Sequence, residues 1–238
     1  MWDAIRDSLP TDSARQTSAT DLASKVGPTL HDGALVVDVG CGSGVSLDLF
    51  SNAAPTSTWV GVDIEDSPEV RARTRDDGEF RTFDGVNLPF DDASVDLVYS
   101  RQVLEHVRHP EPLLRDICRV MKPGAVFIGS TSHLEPYHSL SLWNYTPVGF
   151  KVIVEDAGLR LQEIRPGIDG IALIKRAYMR EPEMNSWFSG ESPLNQEIDD
   201  WARAGGHGPS ATAYRKLAFC GQFAFWIVKD NPESHSNS

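Results

Sequence analysis

The chain has 238 residues, 40% hydrophobic and 24% charged, with 22 Lys and Arg against 34 Asp and Glu for a formal net charge of −12. That length suits one large domain with a well-buried core. A charge of that sign repels a polyanion over most of the surface and argues against nucleic acid as a partner. The longest apolar runs, residues 34–39 and 125–129, fall far short of the roughly 18–20 residues that span a bilayer, so no membrane span is expected. The N-terminus has early acids and no contiguous apolar stretch, which reads as no secretory signal and a cytoplasmic protein. Cys41, Cys118 and Cys220 are odd in number and widely spaced, without a CxxC, so neither disulfides nor structural zinc is expected.

In chain order, the first two thirds alternate short β-type runs with helix-type segments, the pattern of parallel βαβ units. Within an N-terminal segment 11–30, a leading helix is predicted over 11–27, opened by Asp12 or Ser13. ALVVDVG (34–40) reads as the first strand, followed by a helix over 44–54, and STWVGVDI (57–64) as the second strand. Pro68 suits the first turn of the next helix, and EFRTFD (79–84) and SVDLVYS (94–100) give strands three and four.

His109 precedes Pro110 at the entry to an amphipathic helix with Leu113, Leu114, Ile117, Val120 and Met121 on one stripe, stopped by Pro123 and Gly124. AVFIGST (125–131) is then the fifth strand. Thr146 as N-cap, Pro147 at the first position and Gly158 as C-cap frame another helix, with a strand after it at 161–167. Residues 170–213 break the pattern as an insertion or lid with helical pieces near 174–180 and 194–204. A long final strand then falls within 214–229, and a polar tail over 230–238 is expected to be disordered. The cofactor core is placed at 31–168 of a single domain.

The stretch VVDVGCGSG (36–44) ends a buried strand in a loop almost without side chains. Glycines let the backbone turn sharply into a helix and approach a ligand where a Cβ would collide. The spacing is G-x-G-x-G; a dinucleotide fingerprint would need glycine at 45, where the sequence has Val45, which disfavours a dehydrogenase. Asp38 just before the loop repels a pyrophosphate and attracts a cationic amino acid moiety. Asp63 ends the second strand, where a carboxylate can accept hydrogen bonds from a ribose diol. Asp84 ends the third, within reach of an adenine amino group if the ligand lies across the strand ends.

These residues, with VGVDI (60–64), FDGVNLPFDDASVDLVYS (83–100), RQVLEHV (101–107) and LLRDICRVMKPGAVFI (113–128), resemble the class I S-adenosylmethionine-dependent methyltransferases. The likeness is strongest to the group with LEH after strand four and an RVMKPG-like turn before strand five; it covers roughly residues 30–160, with Ala125 where the family usually has a second glycine. The resemblance implies an α/β fold: a Rossmann-like, doubly wound, seven-stranded, mostly parallel sheet with an antiparallel last strand. It implies S-adenosyl-L-methionine as cofactor and S-adenosyl-L-homocysteine as product. By it, Asp38, Gly40, Cys41, Gly42 and Gly44 contact the methionine part, Asp63 and Ile64 the ribose, and Asp84, Gly85 and Val86 the adenine, while Ser100 and Gln102 face the sulfonium.

Methyl transfer from a sulfonium is an in-line displacement, so alignment is the protein's main contribution. An alcohol acceptor gains from a general base, most often histidine. Of seven histidines, three fall at the carboxyl ends of strands four and five: His106, His133 and His138. Glu105 is set aside as their partner because adjacent helical residues do not face each other. Tyr137, Trp143 and Tyr145 are candidate substrate contacts, and Trp187, Phe188 and Trp201 offer aromatic faces suited to sugar rings.

The later part of the chain resembles, more weakly, bacterial methyltransferases acting on glycans or hydroxylated metabolites. The expected reaction is O-methylation of a sugar, glycan or comparable small molecule, with N- or C-methylation of a small metabolite, as in lipoquinone biosynthesis, or a non-catalytic cofactor-binding module as alternatives. No residue is assigned to a metal; Asp169, Glu191 and Asp199 are acids whose spacing specifies no site, and a divalent ion and the oligomeric state are left open.

Overall fold

The computed structural model describes residues 2–180 and 182–231. Its helices are α1 (Trp2–Ile5), α2 (Ala19–Val26), α3 (Ser46–Ala53), α4 (Pro68–Arg71), α5 (Pro110–Val120), α6 (Pro147–Asp156), α7 (Gly170–Met179), α8 (Pro193–Gly205) and α9 (Pro209–Leu217). The strands are β1 (Leu35–Val39), β2 (Thr58–Ile64), β3 (Glu79–Phe83), β4 (Val95–Arg101), β5 (Met121–Ser132), β6 (Arg160–Pro166) and β7 (Gln222–Val228).

The seven strands form one sheet in the order β3-β2-β1-β4-β5-β7-β6. β3, β2, β1, β4 and β5 run parallel, and β7 inserts antiparallel between β5 and β6. This is the doubly wound sheet with one antiparallel strand that the sequence resemblance implies. The order reverses between β1 and β4, and at such a switch the strand ends open a crevice for ligands.

Helices cover both faces, so the central strands are apolar on both sides. The period of two divides β1 accordingly. Val37 and Val39 pack with Leu113, Ile117 and Phe150 of α5 and α6, while Val36 packs with Leu22, Phe50 and Trp59 on the α2–α3 side. Asp38 shares the parity of Val36, which aims it at α3. The α5 stripe is buried as expected, and Thr146 caps α6 by accepting from the Gly149 N–H at 3.0 Å.

Three expected boundaries move. The fifth strand begins at Met121, so Met121, Pro123 and Gly124, expected to close the preceding helix, lie in β5. The first long helix begins at Ala19, because Ser18 and Asp21 form a reciprocal capping box that fixes its start. Asp12 and Ser13 lie upstream in an extended strap, with α1 and a 3₁₀ turn at Arg6–Ser8 before it. The final strand covers Gln222–Val228, since Lys216 and Leu217 close α9 and residues 218–221 turn the chain into the sheet. Most of the expected disordered tail, residues 232–238, lies outside the described residues.

The insertion is helical, and the strap over residues 10–17 ties it to the sheet. Gln16 Oε1 accepts from the Ser192 N–H at 3.0 Å and from Asn195 Nδ2 at 2.9 Å, and Gln16 Nε2 donates to the Trp187 carbonyl at 2.7 Å. Lys216 is fully buried and donates to the Ala14 carbonyl (3.1 Å), Glu191 (2.9 Å) and Asp199 (2.9 Å). Asp169 caps α7 through the Ala172 N–H at 2.7 Å. The three acids left open for a metal are thus engaged inside the fold. Trp187 packs on Ile168, Ala172 and Leu173, and Trp201 stacks on His207 at 4.0 Å, with the Arg215 guanidinium 4.0 Å from its ring centre. These two aromatic faces serve the lid's own packing.

Candidate active site

The glycine loop leaves β1 at the switch point and enters α3. Gly40 has φ +76°, a conformation costly for any residue with a Cβ, and a Cβ there would lie 2.4 Å from the Val103 side chain. This close approach seats the loop against the segment after β4. Gly42 has φ +50°, and its N–H donates to Asp63 Oδ2 at 2.7 Å, while the Ile64 N–H donates to Asp63 Oδ1 at 2.8 Å. Asp63 is therefore held at the end of β2 against the loop. Burial raises its pKa above the ordinary carboxylate range, opposed by these two amide bonds.

Asp38 is 4% exposed and accepts a hydrogen bond from Ser46 Oγ, which in turn accepts from Trp59 Nε1 at 3.0 Å. Burial pushes its carboxyl up to about 7, the Asp63 charge adding to the rise while Ser46 and Arg101 oppose it. Cys41 is buried beside both acids, and burial raises its thiol well above the ordinary range, so it stays a neutral wall of the loop.

Asp84 is exposed and closes its own turn: Oδ1 accepts from the N–H groups of Val86 (2.9 Å) and Asn87 (2.6 Å). Hydrogen bonding from Asn87 and Val86 holds it below the usual range. Its carboxylate shapes the turn that presents Gly85, at φ +88°, and Val86. Ser100 is buried and donates to the Val39 carbonyl at 3.0 Å, joining β4 to the cradle. Gln102, at φ +55°, donates its backbone N–H to the Ser130 carbonyl at 2.9 Å where β4 and β5 diverge.

Two arginines outside the expected set of site residues brace the loop. Arg73 donates from Nε and Nη2 to the Gly42 carbonyl at 2.8 and 2.6 Å and lies 4.1 Å over the Phe80 ring. Arg75 reaches the Gly44 carbonyl at 3.0 Å and pairs with Asp48 and Asp77. The basic alternation in RARTR (71–75) is the sequence signal that marks them.

Past β4, Leu104–His106 form a 3₁₀ turn in which Glu105 points inward and His106 is half-buried. Glu105 is fully buried, accepts from Thr131 Oγ1 (3.0 Å) and Ser132 Oγ (3.2 Å), and is pushed up to about 7 by burial, the Glu135 charge adding to the rise. Ser132 also donates to Glu135 Oε2 at 2.6 Å, and Gln222 Nε2 donates to both Glu135 oxygens at 3.0 Å. His106 packs edge-to-face on His138 with ring centroids 5.1 Å apart.

The side-chain donor atoms of Glu105, His106 and His138 all lie within 4.8 Å of one another, so the neighbour set aside on helical geometry belongs to the cluster. The tight 3₁₀ turn and the loop bearing His138 bring together what a regular helix would splay. Burial lowers His106 below the ordinary imidazole range, and burial likewise lowers His133, whose ring is hydrogen-bonded to the Tyr145 backbone. Glu69 packs against the glycine loop, where a Gly42 Cβ would come within 3.0 Å of its side chain.

The aromatic candidates divide. Tyr145 donates its hydroxyl to the Leu104 carbonyl at 2.9 Å, and Trp143 Nε1 donates to the Val107 carbonyl at 2.8 Å, so both fasten the loop over residues 104–107. Tyr137 is 88% exposed. Leu134, Leu140 and Leu142 are exposed on the same loop and give it an apolar rim.

A family model described as a methyltransferase domain matches residues 37–129, which hold the cradle, Asp63, Asp84 and the Glu105–His106 turn. An S-adenosylmethionine-dependent methyltransferase of Mycolicibacterium smegmatis is 29% identical over 140 residues, 54% of this chain and 52% of the relative. Trans-aconitate 2-methyltransferase of Variovorax paradoxus is 33% identical over 113 residues, 47% and 43% of the two chains. The chain spans about half the length of the curated relatives it matches. The [4+2]-cyclase SpnF shares the fold with a TM-score of 0.59 at 18% identity, over 97% of this chain and 94% of that one. The methyltransferase-domain model covers residues 37–129 of the 238, and with the named relatives it makes the chain similar to the S-adenosylmethionine-dependent methyltransferases.

Proposed function

We propose that the chain transfers a methyl group from S-adenosyl-L-methionine to a hydroxyl of a small metabolite, a sugar, glycan or similar molecule. The observation that carries this reading is the cluster of His106 and His138 beside buried Glu105. The Gly40–Gly44 loop and Asp38 take the methionine part, Asp63 the ribose hydroxyls, and the Asp84–Val86 turn the adenine. Ser100 and Gln102 border the sulfonium side.

The acceptor oxygen attacks the methyl carbon in line with the carbon–sulfur bond. That bond breaks, the sulfonium becomes the neutral thioether of S-adenosyl-L-homocysteine, and the hydroxyl proton passes to an imidazole of the cluster. His133, whose ring is hydrogen-bonded to the Tyr145 backbone, is the remaining candidate base. Support for an oxygen acceptor comes from the trans-aconitate relative, whose named substrate offers carboxylate oxygens. A second reading, an amine acceptor, is favoured by the paired carboxylates of Glu105 and Glu135, which suit a cationic amine. Turnover of S-adenosyl-L-methionine against panels of hydroxylated metabolites, amines and carboxylates, with His106→Ala and His138→Ala beside the parent, tests these readings. Loss of about 100-fold in turnover at one histidine with a hydroxyl acceptor supports the first, and small uniform effects contradict it.

A further inference from the structure

The Glu105–His106–His138 cluster carries more than proton transfer. We propose that it binds one divalent transition-metal ion, Zn²⁺ or a first-row ion of similar preference, at the acceptor mouth. The placement of that ion on the acceptor rests on the reading above; its binding does not. Two imidazoles and one carboxylate are a nitrogen-and-oxygen donor set that suits Zn²⁺, Co²⁺ or Fe²⁺, and not the all-oxygen shells of Mg²⁺ and Ca²⁺. The three donor atoms lie within 4.8 Å of one another. A tetrahedral ion with ordinary bond lengths holds its ligands roughly 3.3 Å apart, so a contraction of at most about 1.5 Å closes the site.

Two of the three ligands, His106 and Glu105, are oriented by neighbours, as metal ligands are. A His106 ring nitrogen is hydrogen-bonded to the Leu140 backbone, which leaves the other nitrogen free to present its lone pair. Glu105 is steadied by the hydroxyls of Thr131 and Ser132, which leave lone pairs on both oxygens. Among the described residues, His138 Nδ1 is shut off from solvent without a hydrogen-bond partner, 3.6 Å from Glu135 Oε1. A buried polar atom left without a partner is costly, and a metal ion would satisfy it. Three protein ligands leave a position open, which an acceptor oxygen entering from the mouth would fill; the imidazoles would then be ligands in place of the base, and the ion would make the hydroxyl acidic enough to lose its proton to water.

The test is calorimetric titration of the tag-free full chain with Zn²⁺, alongside Co²⁺ titration followed by visible absorption, with Mg²⁺ as control. The expected result is one saturable Zn²⁺ site per chain, an intense Co²⁺ band typical of four or five ligands, and no Mg²⁺ uptake. His106→Ala, His138→Ala and Glu105→Gln should each weaken uptake by about 100-fold or more while still binding S-adenosyl-L-homocysteine, which shows them folded. Absence of saturable uptake by the parent chain, or uptake that all three substitutions leave unchanged, overturns the proposal. A chain that takes up the ion but methylates no hydroxyl keeps the metal site and loses only the acceptor assignment. One that takes up the ion yet methylates a hydroxyl undiminished in excess chelator keeps the metal site, loses the ion's role on the acceptor and keeps the imidazole base.

Discussion

The Gly42 amide and the Asp63 carboxylate join two strand ends of the site through a 2.7 Å hydrogen bond. One carboxylate thereby sets the height of the glycine loop, and in the proposed reading it also accepts from the ribose hydroxyls. Removing it deletes a charged acceptor from the ligand and leaves two amides to water. Asp63→Ala should weaken S-adenosyl-L-homocysteine binding by about 10- to 100-fold, with the circular dichroism of the fold retained. Calorimetry on the variant and the parent decides it.

Asp38 gives a pH dependence whose sign follows from burial. Its folded-state pKa is raised to about 7 from 3.8, so the fold binds its proton more tightly than the unfolded chain does. The associated stability is full below about 4 and is lost as pH climbs through about 7. The groups acting on it are Ser46 from α3, Asp63 from β2 and Arg101 from β4. In the unliganded chain, Asp38→Asn should flatten this decline and melt higher than the parent above pH 7. Binding of the cationic cofactor should expel the proton near neutrality, seen as buffer-dependent heats in calorimetry, and the Asn variant should show none of that dependence.

Much of this site is legible in the amino-acid sequence. Alternation of apolar runs gives the strands, the spacing of Gly40, Gly42 and Gly44 disfavours a pyrophosphate loop, and Asp63 sits at a strand end because β2 stops there. Three features escape, each for a local reason. Asp12 and Ser13 have the chemistry of caps, but the Ser18–Asp21 box is the pair that closes reciprocally. Lys216 and Leu217 head an apolar run that a buried helix end and a strand share, and periodicity does not separate the two. Glu105 turns inward only because the chain adopts a 3₁₀ turn held by Leu142 and Trp143, whose N–H groups donate to its carbonyl at 2.7 and 3.1 Å. Such contacts, long-range in sequence, leave no local pattern.

Lys216 anchors the lid to the strap. It is fully buried, whereas Glu191 and Asp199 are only partly covered. Lys216→Met should cost about 3 kcal/mol of stability, measured by denaturant unfolding, and should open residues 10–17 to limited proteolysis. Cofactor affinity should change little, because none of the three groups touches the cradle residues described above.

The Arg73 brace predicts a different pattern. Arg73→Ala removes both bonds to the Gly42 carbonyl and the cover on Phe80, loosening the loop without taking away a ligand contact. Cofactor affinity should fall by roughly 3- to 10-fold, about the worth of one net hydrogen bond, and Arg73→Lys should restore only part of it because an ammonium cannot reproduce the forked contact.

The central claim is that the strand-end cradle of this chain holds S-adenosyl-L-methionine. Isothermal titration of the parent chain with S-adenosyl-L-homocysteine measures it most directly. The account predicts saturable binding of one equivalent that Asp63→Ala weakens. No heat and no rise in melting temperature from well-folded protein would contradict it.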